Sequence, residues 1–367
     1  MYVRRLELIN FRNFSRQIIK PGNIFNMFVG NNAQGKTNLL EAIYFACTGR
    51  SFRTVKEKEV INRGCDYACV KCQLETERRS IDLKTVIYPG KKSINVNGVA
   101  TRGFPLGWPG VVLFTPDDLR IIKGSPHERR RFFDHEVGPF YPGYDHYLSR
   151  YNKIISQRNI LLKEIRARKA NSELLNAWND QFCVYGAKIL FLRINLLKKF
   201  YPHVKELHRQ LTGGKEEINL NYLSSLKIEG AITEEAIYHR LSQALPRLRN
   251  EEIDRAQTLI GPHRDDFAIM INGADARIYG SRGQVRTIVL TFKISLVRFW
   301  YQELGDYPVM LMDDVLFELD EERRRMILKS MGSKVQTFIT ATNEQDLAQE
   351  PVSNKNIYRV AEGKIID

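Results

Sequence analysis

Gly30-Asn31-Asn32-Ala33-Gln34-Gly35-Lys36-Thr37 is the stretch on which the fold turns. It fits the spacing G-x4-G-K-[ST], and its flanks fit the geometry that this spacing requires. Upstream, Ile24 to Val29 is a short apolar run suited to a buried strand; downstream, Asn38 to Ala46 carries Leu39, Ile43 and Ala46 along one helical stripe. A strand, a glycine-rich turn and a helix N-terminus together aim backbone N–H groups and the positive end of the helix at an anion. Gly30, Asn31, Asn32, Ala33, Gln34 and Gly35 are therefore expected to wrap the phosphates of ATP. Lys36 would reach the β- and γ-phosphates, with a catalytic as well as a binding role, and Thr37 would ligate Mg²⁺.

The partner of such a loop is an acidic strand end, and Val309-Met-Leu-Met-Asp313-Asp314 supplies one. An apolar run closing on paired acids is the pattern of a central parallel strand whose C-terminal end faces a ligand crevice. Asp313 is expected to hold Mg²⁺ through water, and Asp314 to act as the base or orienting acceptor for an attacking water. Ser281-Arg-Gly283-Gln284 precedes a strong helical pattern in which Val285, Ile288, Val289, Phe292, Leu296 and Phe299 recur. Ser281 and Gly283 thus lie at a helix start, which offers a hydroxyl and free N–H groups to a phosphate.

The composition agrees with a cytosolic, polyanion-binding globular protein. The 367 residues hold 56 Lys+Arg against 42 Asp+Glu, a formal charge of +14, which makes nucleic acid the first partner to consider. The excess is uneven, with residues 1–122 and 123–250 each carrying +9 and residues 251–367 carrying −4. The most apolar helical stretch, Ala187 to Leu197, is interrupted by Lys188 and Arg193, and the N-terminus lacks an apolar signal core. Cytoplasmic residence without a membrane span is the expectation. Cys65, Cys69 and Cys72 have a cluster-like spacing, but residues 67–74 alternate as a strand does, which sets Cys69 opposite Cys72 and favours ordinary strand cysteines.

Taken together, the loop at 30–37, Ser281 to Gln284, and Asp313-Asp314 followed by Phe317-Glu-Leu-Asp320 resemble the ATP-binding cassette superfamily, with the last four matching its D-loop. Within it the chain resembles the RecF family of bacterial DNA replication and repair proteins, related to the heads of SMC and Rad50 proteins. The segments that carry this are Leu8 to Phe14, Gly49 to Thr54, Phe114 to Leu119, Lys123 to Pro126 with Arg129 to Arg131, and Gly261 to Asp266. The resemblance implies an α/β P-loop NTPase head of the ABC/SMC type with an inserted helical arm. It also implies an ATP-dependent homodimer in which Ser281, Gly283 and Gln284 act on the other copy's ATP, and an Arg12 that approaches the nucleotide.

The implied role is DNA binding in replication and recombinational repair, with RecO and RecR as partners in loading RecA at gaps, a place in the SOS response, and residence at the nucleoid. Threonines in Gln336 to Thr342 replace the switch histidine of transporter ATPases, and Asp117 or Asp118 stands where a Q-loop glutamine is usual. A weak, DNA-stimulated ATPase is the implied activity. The rival reading, the ATPase subunit of an ABC transporter, requires both missing features.

The domain division expected is 1–122 for the first part of the head, 123–255 for the arm, and 256–367 for the second part. Within the arm, Leu148 to Ile165 and Leu175 to Leu196 show 3-4 spacing, with a turn at Ala170 to Ser172. Some 130 residues make a short arm and exclude a long coiled coil. Lys163, Arg166, Arg168, Lys169, Lys198 and Lys199 are candidates for following a DNA backbone, without a basis in sequence for ranking them.

Overall fold

The computed structural model describes residues 1–77, 79–101, 110–227, 232–316, 321–332, 334–343 and 355–366. These divide into two compact units, Met1–Asp118 with Leu290–Asp367, and Leu119–Val289. Residues 256–289, expected with the head, fall instead in the second unit.

The first unit holds two sheets. One is antiparallel, in the order β2-β1-β4-β5-β6-β7, from β1 (Tyr2–Phe11), β2 (Phe14–Ile19), β4 (Ala68–Glu75), β5 (Ser80–Tyr88), β6 (Lys91–Val96) and β7 (Val99–Thr101). The other, in the order β15-β14-β3-β13-β12-β8, comprises β3 (Phe25–Val29), β8 (Val111–Phe114), β12 (Val309–Met312), β13 (Thr337–Ala341), β14 (Lys355–Ala361) and β15 (Lys364–Ile365). All of its pairings are parallel except that of β15 with β14. Every residue of β3, β12 and β13 is buried, which is why these strands read as largely apolar, with Asn26, Thr337 and Thr340 as their buried polar members.

Helix α1 (Lys36–Thr48) packs against β1, β4 and β5 of the antiparallel sheet and against β8, β12 and β13 of the parallel one. Leu39, Leu40, Ala42, Ile43, Phe45, Ala46 and Cys47 are consequently all buried, so the helix is apolar nearly all round, as a helix lying inside a core must be.

The second unit is built on three long helices: α4 (Tyr144–Arg166), α5 (Leu175–Leu211) and α6 (Glu234–Arg255). Each packs on the other two, and the short helix α2 (Arg120–Lys123) packs on α3 (Pro126–Phe132) and α7 (Ala276–Tyr279) in the same unit. Helix α5 outruns its expected end at Leu196 because Phe200, Val204 and Leu207 continue the buried stripe past Pro202. The unit is not helical throughout. A three-stranded antiparallel sheet, β11-β10-β9, is formed by β9 (Ile218–Leu223), β10 (Asp266–Ile271) and β11 (Ala274–Asp275), and this draws residues 256–289 out of the head. The division between units falls within α8 (Arg282–Leu304). Helix α9 (Glu321–Met331) completes the first unit.

Gly261-Pro-His-Arg-Asp-Asp266 is a hub of this second unit. Gly261 has φ +110°, and a Cβ there would meet the Tyr151 hydroxyl at 2.6 Å, so no other residue fits. Pro262 accepts from Arg193 Nη1 at 2.6 Å, Asp265 accepts from Tyr222 at 2.6 Å and from the Ser225 amide at 2.7 Å, and Asp266 takes Arg129 in a two-pronged pair at 2.7 and 2.9 Å. The buried arginines Arg129, Arg158 and Arg193 each have a carboxylate partner. Arg193 also binds Asp134 at 2.8 Å, and Arg158 binds Glu252 at 2.6 Å.

Candidate nucleotide-binding site

The loop at residues 30–37 lies between the end of β3 and the start of α1, as expected. Gly30 N–H donates to the Ala341 carbonyl at 3.3 Å, which ties the loop to the neighbouring strand end. Asn31, Asn32 and Ala33 are exposed, whereas Lys36 is 4% exposed. Gly35, with φ +118°, stands directly before the helix, and a Cβ there would approach the Asn13 amide nitrogen at 2.6 Å. Gln34 is pinned by its backbone carbonyl, which accepts from Asn13 Nδ2 at 3.0 Å and from the Gly363 amide at 3.1 Å. Lys36 Nζ donates to the carbonyls of Gly30 at 2.6 Å and Asn31 at 3.3 Å, so the ammonium is held inside the loop at the helix N-terminus. A buried cation beside a helix's positive end is an anion site.

The acidic strand end meets this loop. Thr37 Oγ1 donates to Asp313 Oδ1 at 2.9 Å, and Thr340, at the end of β13, lies within 3.0 Å of the same oxygen. Thr340 Oγ1 also accepts from the Asp314 amide at 2.8 Å and lies 3.1 Å from Asp314 Oδ1. A hydroxyl has one proton, so Thr340 can serve only one of the two carboxylates at a time. Asp314 takes the left-handed conformation, φ 53°, which turns it out of the strand direction. Burial raises the Asp313 pKa, the Thr37 and Thr340 hydroxyls pull it back, and the neighbouring Asp314 charge adds to the rise. A buried carboxylate with raised proton affinity beside a hydroxyl is a hard-oxygen donor set suited to Mg²⁺, whose charge would relieve that burial.

Arg12 is committed elsewhere. Its Nε and Nη2 bind Glu41 at 2.8 and 2.6 Å, and Nη1 donates to the Glu59 carbonyl at 2.6 Å. Glu41 is fully buried on α1, one turn after Thr37, and also accepts from Ser51 Oγ at 2.5 Å. This arrangement makes Arg12 a brace of α1, whose N-terminus carries the phosphate loop.

Arg53 is the cation that sequence reasoning missed. Its Nη1 donates to Asn38 Oδ1 at 2.6 Å and lies 3.6 Å from Glu41, and its charge lowers the Asp313 pKa. The signal available was Glu41 itself, an acid within an otherwise apolar helix stripe, which has to find cations. Asp118 is likewise occupied, since Lys293, 1% exposed within α8, pairs with it at 2.9 Å.

Ser281 caps the start of α8. Its amide donates to Gln284 Oε1 at 2.9 Å, and its hydroxyl accepts from the Gln284 amide at 3.2 Å, a reciprocal capping pair. Ser281 and Arg282 are exposed, and Gly283 has no heavy atom nearer than 4.0 Å to an added Cβ, so the helix start is open. Gln284 is held from behind by Glu216 at 3.0 Å. Lys123 Nζ reaches three carbonyls of the preceding turn, Ala276 at 3.3 Å, Arg277 at 2.9 Å and Gly280 at 3.0 Å, and so fixes the approach to Ser281. The expected D-loop, Phe317 to Asp320, lies outside the described residues.

A phosphate loop at the C-terminal end of an interior parallel strand, closed by paired acids on the next strand but one, defines an α/β P-loop ATPase head, and residues 5–219 match the family model described as AAA domain. The chain is 55% identical over 342 residues to the DNA replication and repair protein RecF of Pelotomaculum thermopropionicum, covering 93% of this chain and 94% of that protein. It is 36% identical to the protein of the same name from Bacillus subtilis, with both chains covered in full. The solved structure described as the recombination mediator protein RecF-ATP in the RecFOR pathway matches with a TM-score of 0.90 at 33% identity, covering 99% of this chain and 96% of that one. The chain therefore belongs to the RecF family of DNA replication and repair proteins. A transporter ATPase is not favoured, because these relatives match from end to end.

Proposed function

We propose that this protein is an ATP-controlled DNA-binding protein of replication and recombinational repair. ATP occupies the loop Gly30 to Thr37, with Lys36 on the phosphates and with Thr37 and, through water, Asp313 holding Mg²⁺. Two copies close over two ATP molecules, each nucleotide bound by one copy's loop and by the Ser281, Gly283 and Gln284 helix start of the other. Asp314, oriented by Thr340, accepts the proton of the attacking water. Because Thr340 takes the place of a histidine and Asp118 is tied to Lys293, hydrolysis is slow and serves to reopen the dimer. The reading extends to RecO and RecR as partners, RecA loading at gaps, and cytoplasmic, nucleoid-associated residence.

The observation that carries this reading is the 2.9 Å contact of Thr37 with Asp313, since it joins the phosphate loop to the acidic strand in one polar cluster. The experiment is DNA binding with and without Mg·ATP, measured by fluorescence anisotropy on duplex, single-stranded and gapped DNA. Binding that strengthens with ATP on at least one of these DNAs is the expected result. DNA affinity indifferent to ATP on all three would overturn ATP control.

A further inference from the structure

The cations of the helical unit are not equivalent. On α5 and α6 several are paired: Lys188 with Glu234 at 2.8 Å, Lys205 with Glu217 at 3.5 Å, Arg209 with Glu206 at 2.9 Å and Arg255 with Glu251 at 2.8 Å, while exposed Lys198 and Arg247 stand apart from these pairs, one on each helix. Helix α4 and the turn after it gather the larger set. Its exposed Arg150, Lys153 and Lys163, together with Arg168 and Lys169 in the turn that follows, have no acidic partner and no side-chain hydrogen bond among the described residues. Arg166 is less available, because it donates to the Asp254 carbonyl at 3.3 Å.

The same face carries exposed Ser149, Asn152, Ser156 and Gln157, whose hydroxyls and amides suit phosphate oxygens, and α4 includes only two acids, Asp145 and Glu164. The opposite face is locked in the core through Tyr151, Ile154, Arg158, Leu161 and Leu162, so the polar face cannot rotate away. No aromatic residue is exposed between Ser149 and Glu164, which leaves contacts to the backbone and no stacking of bases.

We propose that the solvent face of α4 and the turn after it form a track for the DNA sugar-phosphate backbone, with Arg150, Lys153, Lys163, Arg168 and Lys169 as its phosphate contacts. The proposal rests on the DNA-binding reading above and names where that binding occurs. From Arg150 to Lys163 the helix rises about 20 Å. That matches roughly six nucleotide steps at about 3.4 Å along a duplex strand. Of the six arm cations singled out in the sequence, Lys163, Arg168 and Lys169 lie on this track, Arg166 is held by the Asp254 carbonyl and Lys198 and Lys199 lie on α5; Arg150 and Lys153 join the track from α4.

The test compares three proteins on a labelled duplex and on the same duplex with a single-stranded gap, titrated between about 50 and 200 mM salt. They are the unaltered chain, a variant with Arg150, Lys153, Lys163, Arg168 and Lys169 each changed to Gln, and a control with Lys188, Lys205 and Arg209 changed to Gln. Circular dichroism and ATP-dependent sedimentation confirm that the variants fold and respond to nucleotide. The α4 variant should bind at least tenfold more weakly, and the slope of log affinity against log salt should fall by up to about 4.5, at about 0.9 per phosphate contact on duplex DNA. The control should keep its slope. If the unaltered protein binds DNA with a steep salt slope and the α4 variant keeps that slope, or the control loses as much, the track is wrong and the DNA-binding reading stands. If the unaltered protein shows no salt-dependent binding, both are wrong.

Discussion

Thr37 and Asp313 are separated by 276 positions in the chain, and their side chains meet at 2.9 Å. The parallel sheet makes this contact. Strand β13 lies between β3 and β12, with Ala341 beside Val29 and Ile339 beside Met312, so the segments that leave β3 and β12 emerge at the same sheet edge. That edge, at the C-terminal ends of parallel strands, is where open α/β sheets bind ligands.

Changing Asp313 to Asn separates the cost of this carboxylate from its use. The folded-state pKa is raised, chiefly by burial, so its proton binds more tightly in the folded than in the unfolded chain. The stability linked to that proton is present below the ordinary carboxylate range and is lost as pH rises through the raised value. At neutral pH the nucleotide-free Asp313→Asn variant should therefore melt no lower than the unaltered protein. Mg·ATP at about 100 times its Kd should stabilise the unaltered protein by about 2.7 kcal/mol and the variant by much less. Thermal melts with and without Mg·ATP check both halves, and an equal ATP shift in the variant contradicts the assignment.

Thr340 bridges the two acids, and its hydroxyl is the acceptor of the Asp314 amide at 2.8 Å. Thr340→Val keeps the shape and removes that acceptor, at an expected cost of about 1 kcal/mol for one hydrogen bond lost at a half-buried amide. Hydrolysis should fall with it. Thr340→Ser should restore both stability and turnover, and a Ser variant as impaired as Val would mean that packing, not the hydroxyl, matters here.

Lys123 gathers three carbonyls of the turn before Ser281, although it is itself exposed. Lys123→Met should cost about 1 kcal/mol of stability. Its clearer effect should be on assembly, with ATP binding by the monomer unchanged and ATP-induced dimers weakened. Equilibrium dialysis beside sedimentation distinguishes the two, and intact dimers would remove the positioning role.

His263 is held neutral. Burial is the main cause that brings its pKa down to about 4, with the charges of Arg264, Arg130 and Arg193 adding to it, against a bond to the Thr258 carbonyl. Its Nε2 faces that carbonyl at 3.2 Å, so Nε2 donates and Nδ1 accepts from the Tyr151 hydroxyl at 2.7 Å. Because the unfolded chain binds the proton more tightly, stability falls as pH drops from about 6.5 toward about 4, by roughly 1 kcal/mol per unit. Urea unfolding across that range should show a shallower pH dependence in His263→Asn. Parallel curves for the two proteins would rule the proton out.

What the residues disclosed unaided was local. The phosphate loop, the apolar run before Asp313 and the helix start at Ser281 each carry their geometry in adjacent letters, and each forms where those letters lie. The bracing of α1 was not legible in the same way, since Arg12, Glu41, Ser51 and Arg53 converge only once β1 and α1 share a core. A charged residue set among apolar neighbours was the available signal at Glu41, Arg158, Arg193 and Lys293, each of which is buried and has a partner of opposite charge to find. The boundary at residue 255 failed for a related reason: strand β10 pairs with β9, some fifty residues upstream, and periodicity cannot reveal long-range pairing.

The central claim is that ATP joins two copies through the Lys36 loop of one and the Ser281 helix start of the other. Sedimentation velocity of the unaltered protein, Lys36→Ala and Ser281→Arg, each with Mg·ATP and without nucleotide, tests it most directly. The unaltered protein should shift from monomer to dimer with ATP, Lys36→Ala should neither bind ATP nor shift, and Ser281→Arg should bind ATP and remain a monomer. ATP-dependent dimers of Ser281→Arg at the strength of the unaltered protein would contradict the shared site.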